Sequence, residues 1–166
     1  MNAEHSFDPA DADPRDFRNA LGRFATGVTI ITCDTGEGPI GITANSFASL
    51  SLDPALVLWS PAKSSQRYRF FVEAEHFAVH VLDDDQRAVC DAFTRDGNAF
   101  APLPWANCPR GVPLIDGCLS RFECDRVACH DGGDHSIVVG QVTRVTTRPG
   151  KPLLFFNGTF GEFGAL

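Results

Sequence analysis

The hydrophobic pattern of the chain is mostly that of β-structure, with short runs rich in Val, Ile and Thr bounded by Gly, Pro, Asn and Asp. Residues 28–32 are β-branched and continuous, as in a strand buried on both faces, and residues 40–43 and 56–59 read as two more strands around a small-residue segment, 44–51. Residues 77–82 alternate as a strand. Residues 118–127 and 136–147 flank the turn Asp131-Gly132-Gly133-Asp134 as a hairpin, and residues 153–156 form a last apolar run. Helical spacing intervenes in three places. Asp13 is a good N-cap with Pro14 at the first helical position and Asp16 at the positive end; Phe17, Leu21 and Phe24 then share one face, expected to be core, before Gly27 stops the helix. Ser64 and Ser65 are expected to cap a helix running to about Glu73, and residues 84–93 read as a third. Residues 96–113 carry several Pro and Gly residues and no clear period, so an irregular functional loop or lid is expected. About six or more antiparallel strands with few helices predict a mainly β fold, a closed or nearly closed barrel with peripheral helices. No repeat or boundary divides it: a flexible segment, 1–12, is expected ahead of one domain, 13–166.

Composition narrows the partners. At 166 residues, 43% hydrophobic, the chain builds a core without disulfide or metal staples. A formal charge of −7 argues against a general nucleic-acid binder, which needs a basic face. No apolar run is long enough to span a membrane, and the start Met1-Asn2-Ala3-Glu4-His5 lacks the features of a secretory signal, so a cytoplasmic setting with six reduced cysteines is expected. Phe occurs 14 times against a single Tyr, more rings than a minimal core requires.

Gly36-Glu37-Gly38-Pro39-Ile40-Gly41 matches the dinucleotide fingerprint, but the residues after it are β-rich where that motif needs a helix N-terminus, so a hairpin turn is expected. Thr43-Ala44-Asn45-Ser46-Phe47 sets hydroxyl and amide groups among small residues that let a planar ligand approach the backbone; read alone, it is also an ordinary polar strand end. Ser60-Pro61-Ala62-Lys63-Ser64-Ser65-Gln66-Arg67 places hydroxyls and two cations at an expected helix start, the most phosphate-ready segment of an acidic chain. His135 begins a strand after a Gly-Gly turn, where a structural bond to a carbonyl competes with a catalytic role.

These segments carry a family resemblance. Phe24-Ala25-Thr26-Gly27-Val28-Thr29-Ile30-Ile31-Thr32, the run Gly41-Ile42-Thr43-Ala44-Asn45-Ser46-Phe47-Ala48-Ser49-Leu50-Ser51-Leu52-Asp53-Pro54, and Gly133-Asp134-His135-Ser136-Ile137-Val138-Val139-Gly140 resemble the flavin reductase family with the FMN-binding split β-barrel, over about residues 16–163. The resemblance implies an enzyme passing a hydride from NADH or NADPH to FMN or FAD, commonly for a partner monooxygenase or halogenase, and a homodimer. It implies that Thr43, Ala44, Asn45 and Ser46 lie along the flavin ring, that Trp59 and Ser60 are close to it, and that Ser64 and Ser65 form the phosphate turn. Lys63 and Arg67 are added on electrostatic grounds. The histidine of the Gly-Asp-His motif, His135, is implied next to the nicotinamide, and Phe156 and Gly158 resemble a C-terminal segment near the site. Phe47, Phe100, Phe155, Phe156 and Phe160 are expected to border the site and exclude water, while Thr43, Asn45 and Ser46 bond the ring's polar edge.

Rival readings are a flavin carrier or sensor without turnover, and a flavin-dependent oxidase resembling pyridoxamine-phosphate oxidases with an organic substrate. No metal site is expected: Cys118, Cys124, Cys129 and His130 lack zinc-knuckle spacing, and His76 and His80 lie four apart in an extended segment rather than a helix. The sequon Asn157-Gly158-Thr159 lacks a secretory context.

Overall fold

A computed structural model describes residues 4–164; Met1–Ala3 of the expected flexible segment and the last two residues of the expected domain lie outside them. The first helix, α1, runs Pro14–Leu21 with the Asp13 carboxylate accepting from the Arg15 N–H. It ends at Gly22 rather than at Gly27. The Gly22 carbonyl accepts from the Asn157 N–H, so α1 docks on a C-terminal turn instead of on the core. Its apolar stripe therefore faces outward, and Phe17 (46% exposed) and Phe24 (79%) are not core residues, contrary to expectation.

After the two-residue strand β1 (Thr26–Gly27) come β2 (Thr29–Asp34), β3 (Pro39–Ala44), β4 (Ala48–Leu52) and β5 (Ala55–Trp59). The glycine-rich segment is the β2–β3 hairpin turn, with positive φ at Gly36 and Gly38. Helix α2 spans Tyr68–Glu73, starting later than Ser64 and Ser65 suggested because residues 62–68 form successive turns: Ser65 N–H to the Ala62 carbonyl and Tyr68 N–H to the Ser65 carbonyl. Strand β6 (His76–Val81) is followed by a 3-10 turn (Asp84–Gln86) and α3 (Arg87–Arg95). The segment expected to be irregular contains a small hairpin, β7 (Trp105–Asn107) on β8 (Pro113–Ile115). The two longest strands, β9 (Ser120–Gly132) and β10 (His135–Thr147), meet at the tight turn Gly133-Asp134. Strands β11 (Leu153–Phe156) and β12 (Thr159–Glu162) close the described chain.

Seven strands form one antiparallel sheet in the order β3-β2-β6-β9-β10-β5-β4, and β1, β11 and β12 form a second. The fold is mainly β, with the large antiparallel sheet and few helices of a split barrel. The split lies between β3 and β4, which follow one another in sequence but do not pair. Strand β2 shows why the sheet has two cores: period-two alternation sends Ile31 and Cys33 into one cluster with Trp59, Phe71 and Phe77, and sends Ile30 into another with Phe93, Phe100 and Ile115. Every residue from 29 to 33 is buried, as expected of a strand covered on both faces. His80 sits inside, its Nδ1–H donating to the Ile30 carbonyl and its Nε2 accepting from the Ile115 N–H. The six cysteines are unbridged, and only Cys129 is exposed. No helix among the described residues is long and apolar enough to cross a membrane.

Candidate active site

A cavity of about 490 Å³ opens at the split, between the end of β3 and the face of α3. Ile42, Thr43, Ala44 and Asn45 form one wall; Cys90, Asp91 and Thr94, at helical spacings of one and four residues, form the second. Phe155 and Phe160 of the β11–β12 hairpin form the third, their rings edge to face at 5.0 Å. The Arg87 guanidinium lies 3.5 Å from the Phe160 ring centroid and pairs with Asp91 at 2.9 Å, tying this aromatic wall to α3.

A smaller lobe of about 190 Å³ shares Ile42 to Asn45 with the first and adds Ser46, Trp59, Ser60, Ser65 and His135. Two contacts hold it together. The Ser46 hydroxyl donates to the Ser60 carbonyl at 3.2 Å and accepts from the Ser60 N–H at 3.0 Å, stitching the split shut below the lobe. The tip of the β9–β10 hairpin is pinned over residues 61–63: Ser136 N–H donates to the Pro61 carbonyl, Lys63 N–H to the Asp134 carbonyl, and the Lys63 ammonium bonds the Asp131 carboxylate. That ammonium, through its hydrogen bond, holds Asp131 below its ordinary range. His135 is thereby set at the lobe's rim, its Nδ1 paired with the Asp134 carboxylate at 2.7 Å, which leaves Nε2 available to a ligand.

The structure thus gathers Thr43, Ala44, Asn45, Ser46, Trp59, Ser60, Ser65 and His135 around connected lobes. It places others differently. The Trp59 indole is 1% exposed and packs edge-on to Phe71 at 5.3 Å, so Trp59 borders the lobe as part of the core. The Arg67 guanidinium donates to the carbonyls of Gly41, Phe93 and Thr94, the last two at the C-terminus of α3, whose unsatisfied acceptors it caps. Burial lowers its pKa, and its donors are largely spent on the protein. Lys63 is likewise engaged with Asp131. Ser64 is exposed and lines none of these lobes. Strand alternation turns Phe155 into the cavity and Phe156, 44% exposed, to the other side. Phe47 packs on Phe122, and Phe100 packs edge-on to Phe93 in the core, so Phe155 and Phe160 alone of the five rings line the main cavity.

Hydrogen-bond sense also differs from expectation. The hydroxyls of Thr43 and Thr94 both donate to the Cys90 carbonyl, at 2.9 Å each, so they offer only lone pairs to the cavity. The Ser46 proton and one of its lone pairs are taken up by Ser60. Asn45, exposed and without a side-chain partner among the described residues, is left as the free amide donor and acceptor. Burial pushes the Cys90 thiol up, making it a packing group rather than a nucleophile. The contribution of α3 was missed from sequence: Cys90, Asp91 and Thr94 share a helix face, but no motif distinguishes that face from a packing surface. The lining fits a flat aromatic group with a polar edge, with aromatic rings on one side and mixed acceptors and donors where β3 ends and along α3.

Residues 21–164 match the flavin reductase-like domain model. The chain is 58% identical over 163 residues to the FMN reductase (NADH) SmoA of Agrobacterium fabrum, covering 98% of this chain and 94% of the relative. It is 41% identical over 150 residues to the flavin-dependent monooxygenase reductase subunit HsaB of Rhodococcus jostii, covering 89% and 77%. Among solved structures, the NADH:FAD oxidoreductase SgcE6 of Streptomyces globisporus superposes with a TM-score of 0.90 at 34% identity, covering 99% and 95%. With the split between β3 and β4, the cavity at that split and these likenesses over nearly all its length, the chain belongs to the flavin reductase-like domain family.

Proposed function

We propose that this protein is an NADH-dependent flavin reductase that passes reduced flavin to a partner monooxygenase or halogenase. The observation that carries the reading is the pair of lobes joined at residues 42–45, one walled by Phe155 and Phe160 and the other rimmed by His135. Hydride passage requires the two rings stacked in contact, which lobes that meet at these shared residues permit, and the reactivity resides in the cofactors themselves. The chain supplies position and dryness. Thr43 and Thr94 accept from a ring N–H, Asn45 serves a ring carbonyl, and the phenylalanines exclude water. FMN and NADH are supported by the relative at 58% identity; FAD is supported by SgcE6. The reading takes the protein as a homodimer, consistent with Phe24 and Leu52 at 79% and 97% exposure, and as cytoplasmic.

Steady-state oxidation of NADH and NADPH, each with no flavin, riboflavin, FMN or FAD, tests this. Turnover is expected to require flavin and to saturate in both substrates, with NADH favoured. Flavin bound without any nicotinamide oxidation would leave a carrier instead. Replacing His135 by alanine is expected to raise KM for NADH about tenfold, the worth of one good hydrogen bond at the reacting centre, while flavin affinity stays within twofold. Unchanged NADH kinetics in that variant would remove His135 from the site.

A further inference from the structure

The aromatic wall of the large lobe stands partly on a sheet edge. Among the described residues, strand β12 pairs with β11 alone, so one flank of the strand that carries Phe160 has no neighbouring strand. The rest of β12 faces water: Thr159, Gly161 and Glu162 are exposed, and a Cβ added to Gly161 would meet nothing within 4 Å. Phe160 itself is half-buried at the margin of the cluster around Phe93 and Phe100. Two side chains meet its ring in defined geometry. Phe155, from the same hairpin, stands edge to face at 5.0 Å, and Arg87, from α3 across the cavity, lays its guanidinium 3.5 Å from the ring centroid.

Nothing in the local chemistry of α3 calls for a cation at this position. Arg87 is the first residue of the helix, at the end whose free N–H groups favour acids, and Asp84 and Asp85 occupy the turn before it. Its pair with Asp91 runs base before acid at a spacing of four, the weaker of the two orders on a helix. Both side chains are nearly half exposed, at 47% and 43%, so the pair adds little to stability. Its effect is geometric. Asp91, which lines the large lobe, accepts from Arg87 Nε at 2.9 Å and so orients the guanidinium that lies on Phe160. A residue that runs against local preference at a cavity wall marks a placement made for the site rather than for the helix.

Resting on the flavin reading above, we propose that Arg87 is a positioning residue for flavin binding: it holds the edge-strand ring of Phe160 in place as a wall of the large lobe, and Asp91 orients it for that task. The residue acts through the phenyl ring and not through any contact with the ligand. A wall of this kind bears on the ring system that riboflavin and FMN have in common, so both gain equally from Arg87, whatever their tails.

Equilibrium titration of the full chain with riboflavin and FMN, followed by quenching of flavin fluorescence and set beside denaturant midpoints, tests this. Arg87→Gln removes the cation and keeps a long helix-forming side chain. It is expected to weaken both flavins about fivefold, the worth of a half-exposed cation–π contact, while the midpoint stays at or above that of the wild type. KM for flavin is expected to rise by the same factor, with KM for NADH within twofold. In Phe160→Leu the ring is gone, so adding Arg87→Gln to that variant is expected to cost no further affinity. Wild-type affinity in Arg87→Gln, a loss matched by a lower midpoint, or a second fivefold loss in the Phe160→Leu background each overturns the proposal while the flavin reading stands. Wild-type chain that binds no flavin overturns both.

Discussion

Gly41→Ala is expected to unfold at a clearly lower denaturant concentration than the wild type and to lose flavin affinity with it. A Cβ at Gly41 would lie 2.5 Å from Phe93 Cε1 and 2.7 Å from Cδ1, well inside contact distance. Phe93 has nowhere to go: it is fully buried and packs edge to face on Phe100 at 4.9 Å. Either the ring or strand β3 must shift, and overpacking of this kind costs about 1–3 kcal/mol. The damage reaches the site because the same atoms hold it in place. The Gly41 and Phe93 carbonyls both accept from Arg67, and Thr43, two residues along β3, bonds the Cys90 carbonyl on α3. The double variant Gly41→Ala/Phe93→Leu, which makes room for the methyl, is expected to recover part of both losses. Gly41→Ala with a wild-type denaturation midpoint and flavin affinity would mean that β3 and α3 are not packed as described.

The second large effect is on pH dependence. His80 is fully buried, and burial, reinforced by Arg121 and opposed by the bond to the Ile30 carbonyl, pushes its pKa down from 6.5 to about 3. The folded ring is therefore neutral while the unfolded one takes up a proton near pH 6.5. The unfolded state binds more protons between those values, so this group's contribution is complete above about pH 6.5. It falls as pH drops, by up to about 1.4 kcal/mol per unit. His80→Leu is expected to remove that slope and to cost about 2–6 kcal/mol at pH 7, because the Ile30 carbonyl and the Ile115 N–H each lose a buried partner. Denaturant midpoints from pH 5 to 8 check this, the difference in slope between wild type and variant isolating His80 from the other histidines. Ring nitrogen shifts of the wild type supply an independent reading: His80 stays the neutral Nδ1–H tautomer at pH 5. A His80 that titrates near pH 6.5 in the folded protein would refute the assignment.

Much of the architecture follows from local pattern. The β-branched run at 28–32 has to be covered on both faces, and Gly36, Gly38 and Gly133 supply the positive φ that tight hairpins demand. Polar residues at a strand end, Thr43 to Ser46, read either as a ligand edge or as an ordinary strand end, and they line the lobes. Helix α1 shows where pattern stops. Its stripe of Phe17, Leu21 and Phe24 reads as core-facing, yet nothing in the local sequence tells a core from an outer face that a second surface can cover. Phe155 and Phe156 differ only by strand parity, and parity follows from how β11 pairs with β1 and β12.

What the sequence determined by itself is the mainly β character, the hairpin turns, the two-faced central strand and the polar strand end, Thr43 to Ser46, that lines the cavities at the split. Those are properties of neighbouring residues and their φ/ψ preferences. Tertiary structure alone decided which charges remain free: Lys63 and Asp131 are 68 positions apart, and Arg67 meets the Phe93 carbonyl across 26, so no spacing rule anticipates either pairing. It decided, too, that a face of α3, carrying Cys90, Asp91 and Thr94, walls the main cavity. A side chain's availability depends on which long-range partners satisfy it first, and those partners exist only once the sheet has curled and brought its two ends together.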